Sequence, residues 1–183
     1  MMGILDDLHR DHRNLARLLD LLTDQMEILQ AEGRPDLAVL RDMVDYVETY
    51  PDLVHHPKED VLFERYLRQF DGDGARGVIE GLMAEHKELK DLTSELKDSI
   101  EGVLHDMPLE REAFVAQLAD FIARQRRHLD TEEAQVFPLL RDGLSDVDFE
   151  AAERAIPART DPLFGVEVQK QFEALYLRIF GTQ

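Results

Sequence analysis

Four stretches of this 183-residue chain carry apolar residues at three- and four-residue spacing, and a histidine interrupts every one of the four stripes. The first runs Leu5, Leu8, His12, Leu15, Leu19, Leu22, Met26, Leu29, and the third runs Ile79, Leu82, His86, Leu89, Thr93, Leu96, Ile100, Val103. The second is Leu40, Val44, Val47, Pro51, His55, Glu59, Phe63, Tyr66, Phe70. The fourth is Phe114, Leu118, Phe121, Gln125, His128, Glu132, Val136, Leu139, with one extra residue after Glu132. A stripe of this period is the buried seam of a helix in a bundle.

Turn-forming clusters separate the stripes: Gly33-Arg34-Pro35, Asp71-Gly72-Asp73-Gly74, Asp106-Met107-Pro108 and Asp142-Gly143. They delimit helices over roughly 4–31, 36–70, 77–105 and 109–142. Short connections between long helices make neighbours antiparallel. The expected fold is therefore all-α: an antiparallel up-down four-helix bundle over residues 1–143, followed by a C-terminal helical extension over 144–183. Pro51 and Pro57 fall inside the second helix, and each predicts a kink or a short break there. In the extension, Asp146 to Ile156 reads as a short helix, Pro157 to Pro162 as a connector, and Val166 to Phe180 as an amphipathic segment. Val168, Phe172, Leu175, Tyr176, Ile179 and Phe180 cluster on one side of that segment. The face predicts a helix packed across the bundle; the alternative is a homodimer contact.

Polar groups inside such seams need an explanation. Burying an unpaired carboxylate costs several kcal/mol, and burying several would exceed a domain's whole stability. The groups must be paired, protonated or bound to a cation. Their spacing repeats. His12 to His55 is 43 residues and His86 to His128 is 42; His55 to Glu59 and His128 to Glu132 are both four. The chain thus contains two copies of one unit, a helix with one histidine, a turn, and a helix with His-x-x-x-Glu. Residues four apart share a helix face, so each His and Glu can reach one cavity. The absence of cysteine excludes thiolate zinc sites, iron–sulfur clusters and disulfides. Imidazole with carboxylate suits iron, manganese or zinc, and four His with two Glu exceed what one tetrahedral ion needs. They fit two metal ions with carboxylates between them.

Other classes are disfavoured. A net charge of −18 argues against nucleic acid and anionic membrane surfaces. No window is apolar enough to span a bilayer. The start, Met1 to Asp7, has no basic region or long apolar run, so a cytoplasmic location is expected.

These residues resemble the hemerythrin-like, or HHE cation-binding, domain family over about residues 4–142. The markers are Leu8-His9-Arg10-Asp11-His12, His55-His56-Pro57-Lys58-Glu59-Asp60, Glu85-His86-Lys87-Glu88-Leu89 and His128-Leu129-Asp130-Thr131-Glu132-Glu133 with Phe137-Pro138. The resemblance implies a non-haem di-iron centre with an oxo or hydroxo bridge. His12, His55, His86 and His128 would be terminal ligands, with Glu59 and Glu132 bridging. The chain departs from the oxygen-carrying branch at Lys90, where that branch has a second histidine on the third helix. The departure leaves a coordination position open or filled by another side chain, which speaks against stable oxygen carriage. His56 can replace or join His55, and Glu133 can replace Glu132. His9 reads as an outer residue and His105 as a structural one. Glu85, Asp52 and Asp130 are the candidate partners for the far nitrogens of the ligating histidines.

The function expected is a di-iron protein that binds or senses O2 or NO or handles iron. The alternative is an enzyme acting on peroxide or nitric oxide or repairing iron centres. A third reading is a metal-free helical interaction module.

Overall fold

The computed structural model describes residues 3–70, 72–156 and 159–181. Met1 and Met2 of the start, Asp71 of the second turn, and Pro157 and Ala158 of the connector lie outside them. Among the described residues every regular element is helical: α1 (Ile4–Gln30), α2 (Leu37–Thr49), α3 (His56–Gln69), α4 (Asp73–Leu104), α5 (Arg111–Thr131), α6 (Phe137–Gly143), α7 (Asp146–Ala155) and α8 (Glu173–Phe180). Four arms, α1, α2–α3, α4 and α5–α6, form an up-down bundle. α1 packs against α2 and α5, and α4 against α2, α3 and α5.

Two arms contain a π-helical turn, at Pro51–His55 between α2 and α3 and at Glu132–Val136 between α5 and α6. The stripes show why. A four-residue step overshoots a helical turn by about 40°. From Val47 to Phe63 the stripe takes four such steps in succession. A π turn takes up one extra residue and returns the side chains to the seam. The same device absorbs the extra residue after Glu132. The expected irregularity at Pro51 and Pro57 takes the form of the first of these π turns, which links α2 to α3. Pro51 starts the π turn, His55 and His56 donate five residues back to Tyr50 and Pro51, and the arm continues in αR geometry.

α4 begins four residues before the position read from the stripe. Gly72 caps it in an extended conformation, and Gly74 and Gly77 face open space within its first turns. The far ends of α1 and α4 close alike. Glu32 and Asp106, 74 residues apart, both take positive φ (58° and 61°) as the chain leaves the helix. Asp36 caps α2 by accepting from the Val39 amide at 3.2 Å.

The extension covers the bundle. α7, capped by Ser145 and Asp148, lies on α3, while α8 lies on α2 and α1. The helix expected over 166–180 is confined to Glu173–Phe180 after one 3-10 turn; Val166 is fully exposed, and Gln169 donates to the Pro162 carbonyl, seven residues back, where a helix would have it donate to Gly165. Phe172 and Leu175 are buried against the bundle. No helix of the described residues is long and apolar enough to cross a membrane.

The apolar interior is in two parts. One joins Leu15–Leu29 of α1 with α2, the second half of α4, α5 and the C-terminal segment. The other joins Ile4 and Leu8 with Leu62, Phe63, Ile79, Leu82, Val136, Phe137 and Leu140. Between them lies a layer of histidine and carboxylate.

Candidate metal centre

Each arm places its polar residues in that layer. α1 contributes Asp11 and His12, the second arm His55, His56 and Glu59, α4 His86, and the fourth arm His128 and Glu132; all are buried. Glu59, His55 and Glu132 are wholly inaccessible. Glu59 Oε1 lies 3.2 Å from His12 Nε2 and 3.3 Å from His55 Nε2, while its Oε2 is 3.5 Å from His86 Nε2. Glu132 mirrors it, with Oε1 3.2 Å from His128 Nε2 and 3.4 Å from His86 Nε2, and Oε2 3.4 Å from His12 Nε2. Both carboxylates thus span two groups of imidazoles. In each group the donor atoms lie within 4.8 Å of one another: His12 and His55 with Glu59, and His56, His86 and His128 with Glu59.

The ring nitrogens facing away meet carboxylates in a pattern that repeats the sequence unit. Asp11, just before His12, lies 3.3 Å from His55 Nδ1; Glu85, just before His86, lies 3.1 Å from His128 Nδ1. Asp60, just after Glu59, lies 2.9 Å from His86 Nδ1; Glu133, just after Glu132, lies 2.8 Å from His12 Nδ1. A carboxylate only accepts, so each Nδ1 donates, and Nε2 is the ring atom turned into the layer. Phe63 stacks on His86 and Phe137 on His12, each with rings within 16° of parallel.

His56 breaks the symmetry. Its Nδ1 has a looser contact with Asp52, at 3.4 Å, and its ring stacks on His86. Its match in the second half is Leu129. Sequence left open whether His56 replaces His55 or joins it; the structure turns both inward. Glu132 enters the layer, and Glu133 stays half-exposed, bonded to His9 as well as His12. Lys90 is exposed, and His105 Nδ1 donates to the Glu101 carbonyl at the end of α4. Asp130, a candidate partner, is exposed and reaches no histidine in the layer. Asp11, Asp60 and Glu133 were not identified as outer partners from sequence. Their signal was available: a carboxylate before the lone histidine and after the glutamate in both copies of the repeat.

The charges are strongly perturbed. Burial alone would lower His12, but hydrogen bonds with Glu132, Glu133 and Glu59 outweigh it and push its pKa up to about 12. Burial also opposes protonation of His86, yet Asp60 and Glu132 raise it to about 10. Burial is outweighed likewise at His55 by Glu59 and Asp11 and at His128 by Glu132, so both rise. At His56 burial prevails and the pKa falls. Burial and mutual repulsion oppose ionisation of Glu59 and Glu132, but the surrounding imidazoles hold both well below the usual carboxylate range.

A cation fits this layer better than protons do. The Nε2 atoms of His55, His56 and His128 and the Oε2 atoms of Glu59 and Glu132 are buried without a hydrogen-bond partner. Native interiors rarely leave such groups unpaired. These five atoms face one another, and nitrogen and carboxylate oxygen are the donor set of iron, manganese and zinc.

A cavity of about 330 Å3 opens beside His12, lined by His9, Arg13, Ala16, Leu129, Arg126 and Glu133 among others.

The model of one family, described as Hemerythrin HHE cation binding domain, matches residues 3–140. Among curated proteins none matches the chain.

Proposed function

The chain belongs to the hemerythrin HHE cation-binding family, and from that premise we propose that it holds two iron ions in the buried layer and uses them to bind or sense dioxygen or nitric oxide. The observation that carries this reading is the division of five inward Nε2 atoms into two groups that share Glu59 and Glu132. His12 and His55 would hold one ion and His56, His86 and His128 the other. Manganese or zinc suits the same donors; iron is the choice the family favours. Bound there, iron supplies one-electron chemistry and affinity for dioxygen, nitric oxide or peroxide.

The chain's own residues set the terms of access. His56 supplies, from the second arm, the fifth imidazole that Lys90 does not supply from the third helix. The half held by His12 and His55 has one nitrogen fewer, and Leu129 stands where the other half has His56. That half borders the cavity lined by His12 and Leu129, large enough for a diatomic molecule or a peroxide. Leu19, Ala16 and Leu129 keep its inner wall apolar, while Glu133 fixes the His12 ring from outside. The bundle over residues 1–143 supplies every one of these groups, and 144–183 acts as a covering extension. A cytoplasmic setting completes the reading.

Metal analysis of freshly purified protein, with absorption spectra before and after dithionite, oxygen and nitric oxide, tests the proposal. About two irons per chain and a spectrum that responds to oxygen or nitric oxide support it; less than one iron per chain after iron-rich growth defeats it. A second reading, turnover of peroxide or nitric oxide, is favoured by the His9–Glu133–His12 hydrogen-bond chain at the cavity mouth, a ready route for protons. Steady-state consumption by loaded protein selects it over stoichiometric binding.

A further inference from the structure

Two tyrosines lead from the metal site towards the outside of the bundle. Tyr50 donates its phenolic hydrogen to Asp11 Oδ2 at 3.2 Å, the same oxygen that lies 3.3 Å from His55 Nδ1. One turn earlier, Tyr46 donates to Asp161 Oδ2 at 3.0 Å. The two rings are within 22° of parallel with centroids 5.9 Å apart. Both are buried, and the edge of Tyr50 reaches a surface cavity of about 380 Å3 that Arg159, Thr160 and Gln169 also line.

The bundle does not demand tyrosine at either place. Counting back along the matched stripes from His55 and His128, Pro51 pairs with Gln125 and Val47 with Phe121, so Tyr46 and Tyr50 pair with Asp120 and Arg124. Those two form a surface ion pair at 3.0 Å. In the first half the chain after residue 159 covers the matching face. Phe164 and Phe172 meet Tyr46 edge-on at 5.6 and 5.9 Å, and Asp161 anchors the segment by accepting from the amides of Leu163 and Phe164.

A buried phenol needs a hydrogen-bond partner, and a carbonyl would suffice. Here each phenol has a carboxylate, which can also take its proton. Burial beside these anions pushes both phenols well above their usual range, and burial raises Asp161. Both tyrosines stay protonated at rest, so losing an electron must be coupled to losing the proton.

We infer that Tyr50 and Tyr46 form a path by which an oxidising equivalent leaves the metal site, an inference that rests on the iron-loaded site proposed above. Hydrogen peroxide takes up two electrons, and two protons from solvent, to become two waters. Tyr50 would supply one of those electrons and a ferrous ion held in the layer the other; the Tyr50 O–H bond breaks and the proton passes to Asp11. Tyr46 then returns an electron to the Tyr50 oxygen, which recovers its proton from Asp11. The proton of Tyr46 passes to Asp161. The net change is one electron lost from Tyr46 and one from the bound iron, two protons taken from solvent by the peroxide, and the Tyr46 proton gained by Asp161, with the radical now away from the ligating histidines, beneath the C-terminal segment.

The test is electron paramagnetic resonance on iron-loaded full-length protein freeze-quenched after mixing with hydrogen peroxide. Wild type gives a tyrosyl radical signal. Tyr50→Phe, which removes one oxygen and keeps the ring packing, loses it. Tyr46→Phe and Asp161→Asn keep a radical confined to Tyr50, with a changed hyperfine pattern. Tyr66→Phe, in the other apolar cluster, leaves the signal as in wild type. Iron content and the absorption change on peroxide addition are read on every sample. An undiminished signal in Tyr50→Phe overturns the path. So does a wild type that takes up iron and responds to peroxide without any tyrosyl signal, a result that leaves the iron reading intact. A wild type that takes up no iron overturns both.

Discussion

The imidazole of His56 stacks on that of His86, with centroids 4.5 Å apart and planes within 12°. The two rings face opposite electrostatic conditions. Asp60 and Glu132 outweigh burial and raise His86 to about 10, whereas burial lowers His56. Two imidazolium ions in face contact would repel at short range inside a poorly screened interior. Without metal, one ring of the stack is charged and the other neutral, with an unpartnered Nε2 on His56.

His56→Leu should therefore act in opposite directions on the two forms of the protein. A buried, unpaired polar atom costs about 1–3 kcal/mol. Removing it, with Leu129 as the precedent in the other half, should leave the metal-free protein at least as stable, by about 1 kcal/mol. The metal-loaded protein should lose the ion of the three-histidine half and the stability that comes with it. Denaturant titrations of both forms, with metal content by mass spectrometry, check the pair of signs. Equal destabilisation of both forms would mean that His56 matters only for packing.

Proton release should accompany metal uptake. At pH 7 without metal, His12 and His86 carry protons, since the carboxylates around them raise the two to about 12 and about 10 against burial. A ligating nitrogen must be deprotonated. Calorimetric titrations in buffers of different ionisation enthalpy should show at least about two protons released per chain loaded. The same shifts set the pH dependence of the metal-free form. Folded pKa values above the unfolded value of 6.5 give stability that is complete below pH 6.5 and lost as pH rises through about 10 and about 12. Metal-free protein should thus melt lower at pH 9 than at pH 6. The metal-loaded form should not, because its ligating nitrogens carry no proton to lose.

The outer carboxylates should differ in weight. Asp11 is almost wholly buried, and both Tyr50 and His55 use it. The Glu85 side chain, its counterpart at His128, is 42 % exposed. Losing an outer partner typically costs about 10–100-fold in metal affinity. Asp11→Asn should lie at the upper end of that range and Glu85→Gln at the lower, because water can replace Glu85 but cannot reach His55. Competition with a metal-sensitive dye measures both. A larger loss for Glu85→Gln would show that exposure does not govern the effect.

Glu32 and Asp106 close the matching ends of α1 and α4 with positive φ. A side chain in that region costs about 1–2 kcal/mol, less for Asp, which tolerates it better. Glu32→Gly should raise the stability by about 0.5–1 kcal/mol and Asp106→Gly by less. Thermal melts with both variants decide it, and a gain at Asp106 exceeding that at Glu32 would contradict the argument.

The four arms and their inward histidines were legible because the three- and four-residue spacing is long and repeated in four stripes. His12, Glu59, His86 and Glu132 stand on those stripes, and the structure brings them together. The π turns were visible only as anomalies of spacing, at Pro51 and after Glu132. A one-residue excess does not say whether the helix bulges, kinks or breaks; the neighbouring arms decide that. His56 was undecidable for the same reason, since whether two adjacent residues both face inward depends on local backbone winding. Asp11, Asp60 and Glu133 lie one position off their stripes. Their partners are histidines on other arms, so the repeat marks the carboxylates while the lateral order of the helices assigns each to its histidine. Among them, the Asp11 contact depends further on Tyr50, whose burial comes from the C-terminal segment and not from the repeat.

Leu129 gives the most direct check on the symmetry itself. It occupies in the second half the place of His56, borders the cavity beside His12, and is buried at 7 %. The difference between imidazole and isobutyl there is the main chemical difference between the two halves of the layer. Leu129→His should supply the missing imidazole. The two halves would then each present three nitrogens and share two carboxylates, leaving less room for an external ligand on the His12 side. Iron content should stay as in wild type while binding of nitric oxide or azide falls at least about tenfold, the equivalent of about 1.4 kcal/mol. Leu129→Ala should do the reverse for entry, enlarging the cavity and speeding association without changing iron content. Stopped-flow association rates and metal analysis on the two variants separate these effects. If Leu129→His binds nitric oxide as wild type does, the ligand approaches from elsewhere, and the cavity beside His12 is not its route.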